Sequence, residues 1–331
     1  MESSFNSNAE RRDMGPLGPI KIFAGIAGTS LAADVCTHLD TELGVASVGR
    51  FADGEVKVQI GENVRGNDVF IINPLCPPAE NWVEMALLID AARRSSAGRI
   101  TIVPPYLGYN RQDKKDKPRV PLSAKVMINF VDRQRPDRAI LFDLHSETTA
   151  GFFNNAVVDH LYASIISVPY LFQILTEPYV VASTDDGGGA KAGAYARRLG
   201  KGDFVSFHKG RGDDGQVETV KIKGEIRGKN ILFVDDMIDS GGTLIKDAEA
   251  AKEAGAEKLY AFATHGLFSG DSFRRLSESP LDEVIVTDSV GPASRIPETL
   301  RGKITVLSIA EMMARAIRRV HDAESLSDLI L

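Results

Sequence analysis

The stretch ILFVDDMIDSGGT, residues 231–243, constrains the fold of this chain more than any other. Four apolar residues, Ile231 to Val234, predict a buried strand, and the acidic, glycine-rich run after them predicts the loop leaving its C-terminal end. A helix then opens near Thr243. Such a junction calls for an open parallel α/β sheet, where ligands collect at the C-terminal edge. Gly241 and Gly242 remove side chains so that an anion can approach the backbone, whose free N–H groups at a helix start favour negative charge. Ser240 and Thr243 add hydroxyl donors, and Asp235 and Asp236 offer acceptors for sugar hydroxyls. Phosphate at one end and hydroxyls at the other describe a ribose 5-phosphate.

The chain has 331 residues, enough for two domains of ordinary size. Its formal charge of -6 gives no whole-protein attraction for nucleic acid or an anionic membrane, so anionic substrates fall to local basic groups. No apolar run approaches membrane-spanning length. Two cysteines, Cys36 and Cys76, supply neither a disulfide framework nor metal spacing, which suits a reducing, cytoplasmic setting.

Residues 1–17 are polar, lack the apolar core of a secretory signal and read as a flexible tail. Strands are expected at Lys21–Phe23, Val45–Phe51, Asp68–Ile72, Arg99–Tyr106 and Ala139–Leu144, alternating with helices at Ser30–Leu39, Asn81–Ser95 and Ala124–Arg133. Asp53-Gly54 marks a hairpin whose tip bunches Phe51, Asp53 and Glu55; it is either a plain turn or an aromatic face with two acceptors suited to a purine. The basic run RQDKKDKPR, holding Arg111, Gln112 and Asp113, follows a strand end and reads as a flap over a polyphosphate. The run DLHSE presents His145 at the same edge. A second half repeats the plan, with TDDGGGAK after the strand Tyr179–Ser183, HKGRGD after Phe204–Phe207 and an antiparallel element at 217–226.

Taken together these strings, with GRFADGEVKVQIGENVRG and SAGRITIVPPYLGYNRQDKKDKPR, resemble the ribose-phosphate pyrophosphokinases, and the central loop resembles the PRPP motif of the phosphoribosyltransferase superfamily. The resemblance implies two phosphoribosyltransferase-like, Rossmann-like α/β domains with mainly parallel sheets flanked by helices. It places them at 18–165, joined by a C-terminal helix at 309–325, and at 166–308. It implies transfer of the β,γ-diphosphoryl group of ATP to ribose 5-phosphate, with Mg²⁺, in a homo-oligomer built from dimers and usually hexameric. Phe51, Asp53, Glu55, Arg111, Gln112 and Asp113 would hold the nucleotide, the first three reaching into a neighbouring subunit. His145 and Asp185 would bind the metal, with Asp186 open as a substitute for Asp185. Lys209 and Arg211, with His145, would serve catalysis. Asp235, Asp236, Asp239, Ser240, Gly241, Gly242 and Thr243 would hold the sugar phosphate.

Thr148, Ala150, His160 and Ala310 depart from the family pattern where phosphate activates and ADP inhibits, so that regulation is expected to be weak. Two other classes stay open: a nucleobase phosphoribosyltransferase, and a non-catalytic subunit associated with the synthetase.

Overall fold

A computed structural model describes residues 17–184, 187–211 and 218–330, without the side chains of 209–211, 218, 219 and 330. In chain order the first half runs β1 (Gly18–Ala24), α1 (Thr29–Leu39), β2 (Ala46–Arg50), β3 (Val56–Ile60), β4 (Asn67–Ile72), α2 (Glu80–Arg94), β5 (Arg99–Val103), α3 (Ser123–Asp132), β6 (Arg138–Phe142) and β7 (Val157–Leu161). The second runs α4 (Ser164–Ile174), β8 (Tyr179–Ser183), α5 (Gly189–Arg198), β9 (Phe204–Arg211), β10 (Glu218–Lys223), β11 (Asn230–Ile238), α6 (Gly242–Glu253), β12 (Leu259–Gly266), α7 (Ser272–Glu278), β13 (Glu283–Thr287), β14 (Ile304–Leu307) and α8 (Ala310–His321).

Two sheets form. The first is parallel throughout in the order β1-β4-β5-β6-β7, and the second runs β10-β9-β8-β11-β12-β13-β14 with only the edge strand β10 antiparallel. A parallel strand covered on both faces reads as one apolar run because alternate side chains enter different layers. In β4, Phe70 and Ile72 pack with α1 and α8, whereas Val69 and Ile71 pack with α2. The hairpin β2–β3 stands apart as a two-stranded sheet, as the Asp53-Gly54 signal predicts.

Several elements differ from expectation. β11 continues to Ile238, so Asp235 and Asp236 are strand residues rather than loop residues. β5 ends at Val103, three residues early, because Pro104 and Pro105 cannot donate to a ladder. β7 and α4 have no counterpart among the elements expected from sequence. The N-terminal residues 1–16 lie outside the described set.

After β14 the chain returns to the first sheet, where α8 buries Met312, Met313, Ala316, Ile317 and Val320 against α1 and β1. A buried carboxylate fixes this return. Asp68 on β4, with a side chain 0% exposed, accepts hydrogen bonds from Arg99 at 2.9 and 2.5 Å and from His321 at 2.9 Å, while Arg99 also donates to Val320 O. Removing one member of a buried pair strands the other's charge. Asp68→Ala is therefore expected to lower the unfolding free energy by about 3 kcal/mol, read by urea titration.

Candidate active site

The two sheets turn their C-terminal edges toward each other, and the site lies between them. On one side β11 delivers two consecutive acids to opposite faces, as strand geometry requires. Asp236 meets the first sheet: His145, just past β6, donates from Nδ1 to Asp236 Oδ2 at 2.9 Å. Asp235 accepts from Thr184 Oγ1 at 2.8 Å and from the Asp236 amide.

Past β11, Asp239, Ser240, Gly241, Gly242 and Thr243 curl around a cavity of about 160 Å³, shared with Thr184, Asp235 and Met237. Gly241 sits at φ +73°, a left-handed conformation that a side chain would strain. As the N-cap of α6, Gly241 brings no side chain of its own to the helix start, a place where backbone N–H groups favour an anion. Asp239 accepts from Ser269 Oγ and from Arg111 Nη1, the latter at 2.6 Å. Arg111 thus spans from the first sheet to the mouth of this loop.

A second cavity of about 600 Å³ abuts the first, with Asp235 on the lining of both. Its walls include Arg111, Asp113, Lys114, His145, Lys191 and Asp236. Gln112 accepts a hydrogen bond from Ser123 Oγ at the start of α3 and does not line this cavity. Phe51, Asp53 and Glu55 line neither cavity; Phe51 is 51% exposed at the hairpin tip, with the Lys57 ammonium 5.5 Å from its ring. Lys209 and Arg211 have their backbone on β9, paired with Val220 and Glu218 of β10, and their side chains lie outside the described set. Asp185 and Asp186 lie outside the described residues altogether.

The acids titrate apart. Burial pushes Asp235 up to about 7, with Asp236 beside it adding to the rise. Burial also opposes the charge on Asp236, yet the His145 hydrogen bond and the Lys191 ammonium hold it well below the usual carboxylate range. The same hydrogen bond raises His145. The two neighbouring acids are thus driven in opposite directions.

Four participants lie outside the residues expected from sequence. Asp143 is buried two residues before His145, Lys191 ends the TDDGGGAK run, Ser269 holds Asp239 and Thr184 holds Asp235. Asp143, Thr184 and Lys191 carry a sequence signal, their place inside runs already singled out, whereas Ser269 carries none. His160 has a structural role, since its Nε2 accepts the Leu144 amide at 3.0 Å, behind the turn that carries His145.

Facing, mainly parallel sheets with a strand, an acid pair and a glycine-rich helix start at their junction define an α/β protein of the phosphoribosyltransferase-like kind. Residues 20–133 match the model for the N-terminal domain of ribose phosphate pyrophosphokinase, and residues 213–331 match that for the phosphoribosyl synthetase-associated domain. The chain is 45% identical over 310 residues to the ribose-phosphate pyrophosphokinase of Vibrio parahaemolyticus, covering 93% of this chain and 98% of the relative. It is 45% identical over 311 residues to that of Shewanella oneidensis, with the same coverage. The crystal structure of phosphoribosylpyrophosphate synthetase from Mycobacterium smegmatis superposes with a TM-score of 0.84 at 35% identity, covering 92% of this chain and all of that one. The chain belongs to the ribose-phosphate pyrophosphokinase family. No helix among the described residues is long and apolar enough to cross a membrane.

His265 is buried and His160 half-buried beside the site, and desolvation depresses both below the ordinary histidine value. The unfolded chain takes up these protons near pH 6.5 while the folded chain resists, so stability is present above that pH and is lost as pH falls through it. Asp235 and His145, both raised, act in the opposite sense, so the effect is read by difference: between pH 8 and 5 the melting temperature of His265→Gln is expected to lose less on acidification below about pH 6.5 than that of wild type.

Proposed function

We propose that this chain transfers the β,γ-diphosphoryl group of ATP to the 1-hydroxyl of ribose 5-phosphate, giving PRPP and AMP for nucleotide synthesis. The observation that carries this reading is the pair of cavities sharing Asp235, clasped from the opposite sheet by His145 on Asp236 and by Arg111 on Asp239. A simple phosphoribosyltransferase needs the smaller cavity but leaves the larger one unexplained. A non-catalytic subunit is disfavoured by close identity over nearly the full chain to relatives named for the enzyme.

In this reading the loop from Asp239 to Thr243 seats the sugar phosphate, and Asp235 and Asp239 accept its hydroxyls. Both Asp239 oxygens are engaged, by Arg111 and Ser269, so a nucleotide that draws Arg111 onto its phosphates frees one of them for the ribose. Asp113 lines the nucleotide side beside Arg111, while Gln112, assigned to the nucleotide by resemblance, is turned to Ser123 in this chain. Phosphoryl-type transfer asks the protein chiefly for in-line positioning and for cations at the oxygens that gain charge. Lys209 and Arg211 are assigned the second of these roles. Phe51, Asp53 and Glu55, exposed and away from this chain's cavities, suit a nucleotide site completed by a second copy, in a dimer-based and usually hexameric homo-oligomer. We assign residues 18–165 with the 309–325 segment to one domain and 166–308 to the other, in a cytoplasmic enzyme. Phosphate activation and ADP inhibition are proposed to be weak, given Thr148, Ala150, His160 and Ala310.

The described residues hold no cluster of three or more metal-ligating side chains. Mg²⁺ would arrive on the nucleotide, since this ion keeps its waters and takes phosphate oxygens with one or two protein contacts. His145, its Nδ1 fixed by Asp236, presents Nε2 for such a contact, and Asp185 is assigned the other. The ion would supply charge neutralisation along the polyphosphate.

Incubation with ATP, Mg²⁺ and ribose 5-phosphate is expected to release AMP together with PRPP, and a release of ADP or no turnover would refute the reading. Lys209→Ala is expected to cut kcat by about two to three orders of magnitude while sugar phosphate affinity stays within a few fold. Chelation with EDTA is expected to abolish turnover and added Mg²⁺ to restore it.

A further inference from the structure

We propose that Asp143 and Lys191 are positioning residues, a buried counter-ion pair between the two halves of the fold that holds the turn carrying His145 against Asp236. Asp143 follows β6 and is 4% exposed, yet its backbone sits at φ +34°, a conformation that L-residues keep only where the surroundings over-determine it. The surroundings do so here. The Asp143 amide donates to Leu161 O at 3.0 Å, the next amide donates to His160 Nε2 at 3.0 Å, and His265 Nε2 donates to Asp143 O at 3.3 Å. One carboxylate oxygen, Oδ2, accepts from the Ala163 amide at 2.7 Å and from Thr264 Oγ1 at 2.8 Å. Thr264 and His265 belong to β12 of the second sheet, so this turn of the first sheet is pinned to the opposite one.

The other oxygen, Oδ1, faces Lys191 Nζ of α5 at 3.8 Å. That ammonium is buried and has no hydrogen-bond partner among the described residues. A charge in such a place persists because another balances it, and removing either member leaves its partner uncompensated. Asp143 is thereby committed to the junction of the sheets, with both oxygens turned to protein groups. Two residues further on, His145 makes its 2.9 Å bond to Asp236. The pair therefore acts on the site through the direction of His145.

The inference rests on the diphosphoryl-transfer reading for its activity test, while its structural test does not need turnover. Full-length Lys191→Met, Asp143→Asn and the double variant are compared with wild type for kcat, for KM toward each substrate, and for urea stability. The His145 imidazole resonance is followed by NMR in the metal-free protein. Each single variant is expected to lose kcat about tenfold or more, with both KM values within about threefold, and to shift the His145 resonance. The double variant, neutral at both positions, is expected to regain stability, to return the resonance, and to be at least about tenfold more active than the product of the single effects. Lys191→Arg keeps the charge and stays nearer wild type than Lys191→Met, which covers the case in which Met prevents folding. Multiplicative losses in the double variant, or an unmoved His145 resonance in both single variants, would overturn the proposal. So would a selective loss of ATP affinity in Lys191→Met that the double variant fails to rescue, because Lys191 would then touch substrate directly. Absence of AMP formation by wild type would sink the reaction reading, leaving stability and resonance to judge the pair.

Discussion

The 2.9 Å hydrogen bond from His145 to Asp236 joins the C-terminal edges of two sheets, and the geometry of the site follows from it. Each sheet alone offers a partial surface: one has the flap and the imidazole, the other the acid pair and the anion loop. Brought edge to edge, they enclose two cavities with one wall in common. Diphosphoryl transfer needs a sugar hydroxyl and a polyphosphate held within reach, and most of what a protein can supply to such a reaction is that placement.

Electrostatics reinforce the contact. Consecutive acids on a strand point to opposite faces, so Asp236 finds the His145 imidazole and the Lys191 ammonium, whereas Asp235 is left with Thr184 and a charged neighbour. One carboxyl is consequently held ionised and the other is driven up toward neutrality. A site that accepts ribose hydroxyls beside a polyphosphate gains from this split, since full charges on both acids of the larger cavity would repel the incoming anion.

Much of the fold is legible in the sequence because parallel strands buried on both faces announce themselves as apolar runs, and 179–183 matches its expected bounds. The differences have local causes. β11 reads as ending at Val234 because adjacent acids look like loop, although Met237 and Ile238 extend the strand and Asp236 is compensated from the other sheet. β7 carries Asp159 and His160 within a short strand, and α4 is apolar on most sides with Pro169 inside it, so neither shows a clean period. In the site, the anion loop is readable because its glycines and hydroxyls are contiguous. The Arg111 to Asp239 bridge spans 128 positions of sequence, and the approach of Lys191 to Asp143 depends on how two sheets meet; no local pattern encodes either.

Diphosphoryl transfer in this site demands one geometric relation, that a hydroxyl of the sugar in the smaller cavity faces the middle phosphorus of a nucleotide in the larger one. A crystal structure with ribose 5-phosphate and a non-hydrolysable ATP analogue measures it directly. The expected result is the sugar 1-oxygen about 3 to 3.5 Å from the β-phosphorus and in line with its bond to the α-phosphate bridge. Ligands seated in separate clefts with Asp235 and His145 between them, or a nucleotide whose γ-phosphorus meets the sugar instead, would contradict it.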